Sequence, residues 1–88
     1  MILYLIRHAE AVERGTPGAG HDFDRALTER GHAQARAVAE AFVRLGVAVD
    51  AVVSSPLVRT YQTAVDLLAV GQPGARPVTH DALAPERL

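Results

Sequence analysis

Residues 2–11, ILYLIRHAEA, decide how the fold is interpreted, because five apolar residues run directly into an arginine and a histidine. A short continuous apolar run is typical of a strand that is covered on both faces in a parallel sheet. In open parallel α/β sheets, ligands bind beyond the carboxyl ends of the strands. The sequence therefore predicts a strand over residues 2–6 that brings Arg7 and His8 to the functional edge of a sheet.

Two helices are predicted after this strand. Thr28 is the expected N-cap of the first helix, and Gly46 is its expected C-terminal stop. Ser55 and Pro56 are expected to open the second helix as its cap and first helical residue, and residues 71–74 to close it. The predicted apolar faces are Val38, Ala41, Phe42 and Leu45 in the first helix and Leu57, Tyr61, Ala64 and Leu68 in the second.

Further strands are predicted at residues 49–53 and 77–80, which gives the order β-α-β-α-β with parallel strands. The expected fold class is α/β, a three-layer α/β/α arrangement with a mostly parallel sheet. Three strands and two helices rarely cover both faces of such a sheet, and the final DALAPERL resembles the start of a loop. We therefore expect residues 1–88 to form a single domain that is truncated at its C-terminus, an incomplete half of the fold.

Composition excludes several classes of protein. The net charge of −1 argues against a general nucleic-acid or anionic-membrane binder. No apolar run is long enough to span a bilayer or to serve as a signal peptide, and the chain has no cysteine, so we expect a cytoplasmic protein. All nine basic residues are arginines, which suggests a coding bias, so each functional arginine needs support from its position.

Three separated segments converge on the predicted sheet edge. Arg59 lies in the first turn of the second helix, where its side chain leans toward the helix N-terminus and hence toward Arg7 and His8. A strand end or a solvated helix face would explain each residue alone, so the convergence carries the prediction. Guanidinium groups match phosphate oxygens bidentately, and a neutral histidine can attack phosphorus when its other ring nitrogen is held by an acceptor. The loop acids and histidines fit no metal-ligand spacing with His8: Glu10, Glu13, His21, Asp22 and Asp24.

The segments LIRHAEA, DRALTERGHAQA and SSPLVRTYQTA together resemble the histidine phosphatase superfamily, which is phosphoglycerate-mutase-like, and within it the SixA-like phosphohistidine phosphatases. The resemblance covers essentially the whole chain. It implies that His8 is the phospho-accepting nucleophile, that Arg7 and Arg59 bind the phosphoryl group, and that Arg25 lies at the same pocket. Gln62 and Thr63 are expected to support packing or hydrogen bonding.

The sequence departs from the family pattern in places that bear on catalysis. Ala9 replaces the usual glycine after the first histidine. The family's second catalytic histidine has no match in these residues, and His80 is not its equivalent. Glu86 is a candidate general acid, one position later than the usual glutamate, with Pro85 standing in that place. We therefore expect the missing C-terminal half of the domain to supply the second histidine.

The resulting hypothesis is a metal-independent phosphatase with no cofactor. It would hydrolyse phosphohistidine on a signalling phosphotransfer protein through a phosphohistidine intermediate at His8. A phosphoramidate leaving group needs less help from an acid than an alkoxide does, which favours this substrate. Two alternatives remain open at this point: a small-molecule phosphomonoesterase of the same superfamily, acting on a phosphate ester, and a non-catalytic phosphate-binding fragment. The 88-residue chain alone is expected to be inactive.

Overall fold

A computed structural model describes residues 3–18 and 20–84 of the protein. Two helices and two short strands alternate along this part of the chain. In order they are α1 (Glu29–Arg44), β1 (Val53–Ser54), α2 (Val58–Gly71) and β2 (Val78–Thr79), with 3₁₀ turns at Asp22–Asp24 and Asp81–Leu83. The α/β fold class predicted from the sequence is confirmed. None of the described helices combines the length and apolar character needed to cross a membrane.

Helix α1 begins and ends where its local sequence signals predict. The Thr28 hydroxyl accepts a hydrogen bond from the Gly31 amide at 2.9 Å, which satisfies one of the free N–H groups of the first turn. The helix ends at Arg44, and Gly46 follows with a φ of 70°, a left-handed conformation that glycine adopts without steric cost.

Helix α2 begins later than predicted, at Val58 rather than at Pro56. Leu57 is the N-cap residue, with an extended backbone (φ −60°, ψ 140°) that keeps Pro56 outside the helix. The Ser55 hydroxyl does not cap the helix but bonds to the hydroxyl of Thr60. Thr60 in turn donates to the Leu57 carbonyl at 2.9 Å. The side chains of Ser55 and Thr60 thus stabilise the first turn of α2 in place of an N-cap hydrogen bond.

The two strands pair in parallel, as predicted, but are shorter than the sequence suggested. Val53 pairs with Val78, and Ser54 with Thr79. Residues 3–6, by contrast, do not form the predicted strand, and Leu3 and Leu5 are 78% and 90% exposed. A strand requires a neighbouring backbone with which to form a ladder, and residues 3–8 make no backbone hydrogen bond within the described part of the chain.

The core lies between α1 and α2. On α2, the predicted face is largely confirmed, because Ala64 and Leu68 are buried and Tyr61 is half-buried. On α1, the prediction is partly wrong, since Val38 and Leu45 are exposed. The residues of α1 that are buried instead are all small: Gly31, Ala35 and Ala39. Their spacing of four residues places them on one face, and small side chains allow close approach of neighbouring backbone.

Gly31 provides a direct test of this close approach. A Cβ atom at position 31 would overlap the carbonyl oxygen of Glu10, a backbone atom that cannot move away independently. We expect Gly31→Ala to lower the free energy of unfolding by about 1–3 kcal/mol, because overpacking outweighs the gain in helix propensity. Urea denaturation of the full-length protein measures this.

Gly71→Ala is the matched control, since an added Cβ there would lie 3.6 Å from the Val43 side chain, an ordinary contact. Its stability is expected to equal or slightly exceed that of the wild type. Equal stabilities for the two variants would show that Gly31 is not required at this contact.

Candidate active site

His8 is held in one defined orientation. Its Nδ1 atom lies 2.7 Å from the carbonyl oxygen of Ala9. A carbonyl oxygen can only accept, so Nδ1 must carry the proton and donate it. In a neutral ring this leaves Nε2 with a free lone pair, the state that nucleophilic attack requires. The structure thus contains the fixed acceptor that the sequence hypothesis called for.

Ala9, the residue that follows His8, is hydrogen-bonded to helix α2. The Ala9 amide donates to Thr63 Oγ1 at 3.1 Å, and the Thr63 hydroxyl donates to the carbonyl oxygen of Arg59 at 2.8 Å. Thr63 is buried. Its single hydroxyl therefore connects the His8 backbone with the first turn of α2, which carries Arg59.

Residues 10–12 form hydrogen bonds with α1 and with the residues that precede it. The Glu10 amide donates to the Gln34 side chain, and its carbonyl accepts from the Thr28 amide at 3.0 Å. The Val12 amide donates to the Ala26 carbonyl at 2.9 Å. Gln62 of α2 supports the facing segment by accepting from the Leu27 amide at 2.7 Å, the hydrogen-bonding role expected from the sequence.

Arg59 is buried, with 7% of its side chain exposed. Its Nη1 donates to the backbone carbonyl of Asp22 at 2.8 Å, and its Nη2 lies 3.5 Å from Asp22 Oδ2. Its Nε is buried and has no hydrogen-bond partner among the described residues. A buried guanidinium edge with an unused donor can receive a further acceptor oxygen.

Arg25 converges on the same carboxylate from the other side. Its Nε and Nη2 both contact Asp22 Oδ1 at 2.9 Å, and its Nη1 donates to the Val12 carbonyl at 2.8 Å. Partial desolvation opposes ionisation of Asp22, but the Arg25 hydrogen bond and the charges of Arg59, Arg25 and Arg14 outweigh it. They hold the pKa of Asp22 below its ordinary value of 3.8.

The structure therefore brings Arg25 and Arg59 together through Asp22, and His8 to the same turn of α2 through Thr63. Arg7 is exposed and forms no ion pair with a described residue; it lines a cavity of about 180 Å³ with Gln34 and Val38. Glu86 lies outside the described residues. His80 accepts from the Ala82 amide and thus caps the second 3₁₀ turn.

The contacts of Asp22 with Arg25 and Arg59 were not predicted from the sequence, in which Asp22 was weighed only as a metal ligand. The one signal in the sequence was its spacing of three residues from Arg25. Its contact with Arg59 spans 37 positions and has no local signature. Among residues 3–18 and 20–84, no three metal-ligating side chains come together.

The geometry can now be set beside known proteins. Residues 3–85 match the family model of the histidine phosphatase superfamily (branch 1). This chain belongs to that superfamily. An uncharacterized protein of Picosynechococcus sp. (strain PCC 7002) is 36% identical over 85 residues, which cover 97% of this chain and 50% of the relative.

Solved structures of SixA proteins share the fold of this superfamily member. One from Agrobacterium tumefaciens, assigned as a phosphohistidine phosphatase, has a TM-score of 0.74 and 32% identity over 88% of this chain and 48% of its own. A protein histidine phosphatase SixA complexed with tungstate has a TM-score of 0.68 and 27% identity, covering 83% and 45%. A third, from Nakamurella multipartitia, has a TM-score of 0.68 and 34% identity, covering 90% and 41%. The chain thus spans about half the length of the relatives it matches.

The Thr63 hydroxyl should be required for order at position 9. We expect Thr63→Val to expose the Ala9 amide to hydrogen exchange and to lower the free energy of unfolding by about 1–3 kcal/mol, because a part-buried donor loses its acceptor. Thr63→Ser keeps the hydroxyl and should keep the Ala9 amide protected, despite loss of the methyl group. Amide exchange measured by NMR compares the two, and protection of Ala9 in the valine variant would refute the role of the hydroxyl.

Asp22 should make stability depend on acid pH. Its pKa is lower in the folded protein than the ordinary 3.8, so its contribution to stability is fully present above 3.8 and is lost as the pH falls through the folded value. We therefore expect the wild type to lose more stability than Asp22→Asn on acidification below pH 3.8. Asp24→Asn removes a neighbouring carboxylate that forms no ion pair with a described residue, and it should follow the wild type. Parallel pH profiles for wild type and Asp22→Asn would contradict the expectation.

Proposed function

We propose that this superfamily member is a metal-independent phosphatase that removes the phosphoryl group from a phosphohistidine of a signalling phosphotransfer protein. The reaction proceeds through a phosphohistidine at His8, which water then hydrolyses. No cofactor takes part. A cytoplasmic location belongs to the same proposal.

The observation that carries the proposal is the hydrogen bond from His8 Nδ1 to the Ala9 carbonyl at 2.7 Å. It directs the Nε2 lone pair to act as the nucleophile and holds the ring against rotation. The carbonyl also stabilises the ring when it becomes cationic on phosphorylation, because Nδ1–H remains a donor throughout. The anchoring of Ala9 to Thr63 fixes the position of this carbonyl relative to α2.

Arginines supply the charge that phosphoryl transfer needs. Arg59 has a buried guanidinium with an unused Nε donor, and Arg25 lies on the opposite side of Asp22. Arg7, adjacent to His8 in the chain, is the third cation of the proposed site. Guanidinium groups stay protonated at any working pH and stabilise the charge on the transferring group, which is a role that metal ions fill in other phosphoryl-transfer enzymes.

In the first step, the bond between His8 Nε2 and phosphorus forms as the substrate P–N bond breaks, and the imidazole leaves as a neutral ring because its other nitrogen is already protonated. In the second step, a water oxygen attacks phosphorus, the Nε2–P bond breaks and phosphate leaves, with one water proton lost. Glu86 is the candidate acid of the chain, and the second histidine of the family is expected in the part of the protein that the relatives contain beyond this length. The 88-residue chain alone is accordingly expected to be inactive.

Phosphohistidine is preferred over a phosphate ester for two reasons. Two of the SixA structures that this chain resembles are described as phosphohistidine phosphatases, and the third as a protein histidine phosphatase. An imidazole nitrogen can also be protonated before it leaves, so the reaction depends less on a strong enzyme acid than departure of an alkoxide does.

Phosphoryl transfer to His8 can be tested in the full-length protein. Incubation with a ³²P-labelled phosphohistidine protein should give an acid-labile label on the wild type and none on His8→Ala, with loss of phosphate release by at least about 10³-fold. His80→Asn is the matched control, because asparagine can still accept from the Ala82 amide; it should label and turn over like the wild type.

Phosphate release by His8→Ala at the wild-type rate would show that His8 is not the nucleophile. Parallel assays with a phosphohistidine protein and a sugar phosphate separate the substrate classes, and faster turnover of the sugar phosphate would replace the proposed substrate by a small ester. If neither substrate labelled the protein and phosphate binding was retained, the protein would be a non-catalytic phosphate-binding module.

A further inference from the structure

The carboxylate of Asp22 uses both oxygens on the two arginines assigned to phosphoryl binding. Oδ1 receives the Nε and Nη2 edge of Arg25, and Oδ2 faces Nη2 of Arg59. The Asp22 backbone carbonyl occupies Nη1 of Arg59 at 2.8 Å. Oδ1 also receives Nε of the exposed Arg14 at 3.2 Å. Guanidinium groups bind phosphate oxygens with the same N–H donors.

Arg59 is closed off from solvent, and Asp22 supplies its polar contacts. All polar contacts of the Arg59 guanidinium within the described residues are made with Asp22, and its side chain is 7% exposed. The Nε donor is buried without a partner in the same part of the chain. An anion from solvent therefore cannot reach the full guanidinium of Arg59 while Asp22 stays in place.

We propose that Asp22 is an internal occupant of the anion site, a carboxylate that a phosphoryl group must displace from Arg25 and Arg59. This inference rests on the proposed function in one respect, namely that these two arginines bind the phosphoryl group. It assigns Asp22 as an affinity-determining residue that competes with the substrate and takes no part in the chemical step.

Apart from the contacts with arginines, few interactions hold the segment that carries Asp22. It is a three-residue 3₁₀ turn with no buried residue, closed by hydrogen bonds from the Asp24 amide to the His21 carbonyl and from the Arg25 amide to the Asp22 carbonyl. The Asp22 side chain is 44% exposed, so its carboxylate has access to solvent when it leaves the arginines. Movement of the turn would release Arg25 and Arg59 to a phosphoryl group, whose oxygens would take the place of Asp22.

Asp22→Asn tests the competition. Asparagine keeps the size of the side chain and the backbone carbonyl that Arg59 contacts, but it removes the charge. We expect the dissociation constant for tungstate, measured by calorimetry on the full-length protein, to fall by about 3- to 10-fold, because the anion no longer displaces a carboxylate. Asp24→Asn removes the same charge two residues away and should change the constant by less than about 2-fold.

A second measurement uses the wild type alone and decides the matter if Asp22→Asn does not fold. Saturating tungstate should speed hydrogen exchange at the amides of Asp24 and Arg25, because the turn opens when Asp22 leaves. The inference would be overturned if Asp22→Asn bound tungstate more weakly than the wild type, or if its effect were no larger than that of Asp24→Asn. It would also be overturned if tungstate left hydrogen exchange in the wild type unchanged or made it slower.

These outcomes are separable from those of the proposed function. If Asp22→Asn tightens tungstate binding but His8 never becomes phosphorylated, the site is an anion site with an internal occupant and the proposed phosphatase chemistry is wrong. If His8 is phosphorylated and Asp22→Asn weakens tungstate binding, the phosphatase stands, and Asp22 only positions the arginines. A wild type that binds no tungstate would overturn the inference directly.

Discussion

The site depends above all on the hydrogen bond between the Ala9 amide and the Thr63 hydroxyl. Residues 3–8 make no backbone hydrogen bonds within the described chain, so His8 has no ladder to fix it. Its position is set by the residues that follow, and Ala9 is the first of these to be anchored. Since Thr63 lies four residues after Arg59, one face of α2 presents both the anchor for the segment that carries His8 and the guanidinium of Arg59. Rotation of α2 would therefore displace both together.

The burial of Arg59 creates a second constraint. A guanidinium cannot be withdrawn from water without acceptors for its donors, since an unpaired buried charge is strongly destabilising. Asp22 meets most of this demand with one backbone and one side-chain oxygen. In spite of partial desolvation, the Arg25 hydrogen bond and the charges of Arg59, Arg25 and Arg14 lower the pKa of Asp22. When no ligand is bound, buried arginines such as Arg59 therefore need an acidic residue of the protein, here Asp22, to balance their charge.

Local signals predicted the features that depend on neighbours in sequence. The Thr28 cap and the Gly46 stop of α1 need only adjacent residues, and both are in the structure. The strand over residues 2–6 was predicted from apolar character alone, but a strand also needs a partner backbone, which periodicity does not supply. The Asp22–Arg59 contact joins a surface turn to a helix 37 positions away, so no window of sequence contains it. The contacts among the candidate site residues could not be predicted from their residue types alone.

The proposed displacement of Asp22 by an anion favours a phosphoryl group over a carboxylate, because the two anions differ in their number of oxygens. A carboxylate has two oxygens, and both Asp22 oxygens already contact Arg25 and Arg59, while the Nε of Arg59 has no partner among the described residues. A transferring phosphoryl group has three peripheral oxygens and carries more negative charge. It can satisfy the donors that Asp22 satisfies and also the one that Asp22 leaves unpaired. A simple carboxylate from solvent lacks this advantage, because it would only repeat what Asp22 provides. Under the proposed displacement, the Arg59 donor that has no partner among the described residues thus favours an anion with three or more oxygens over a carboxylate.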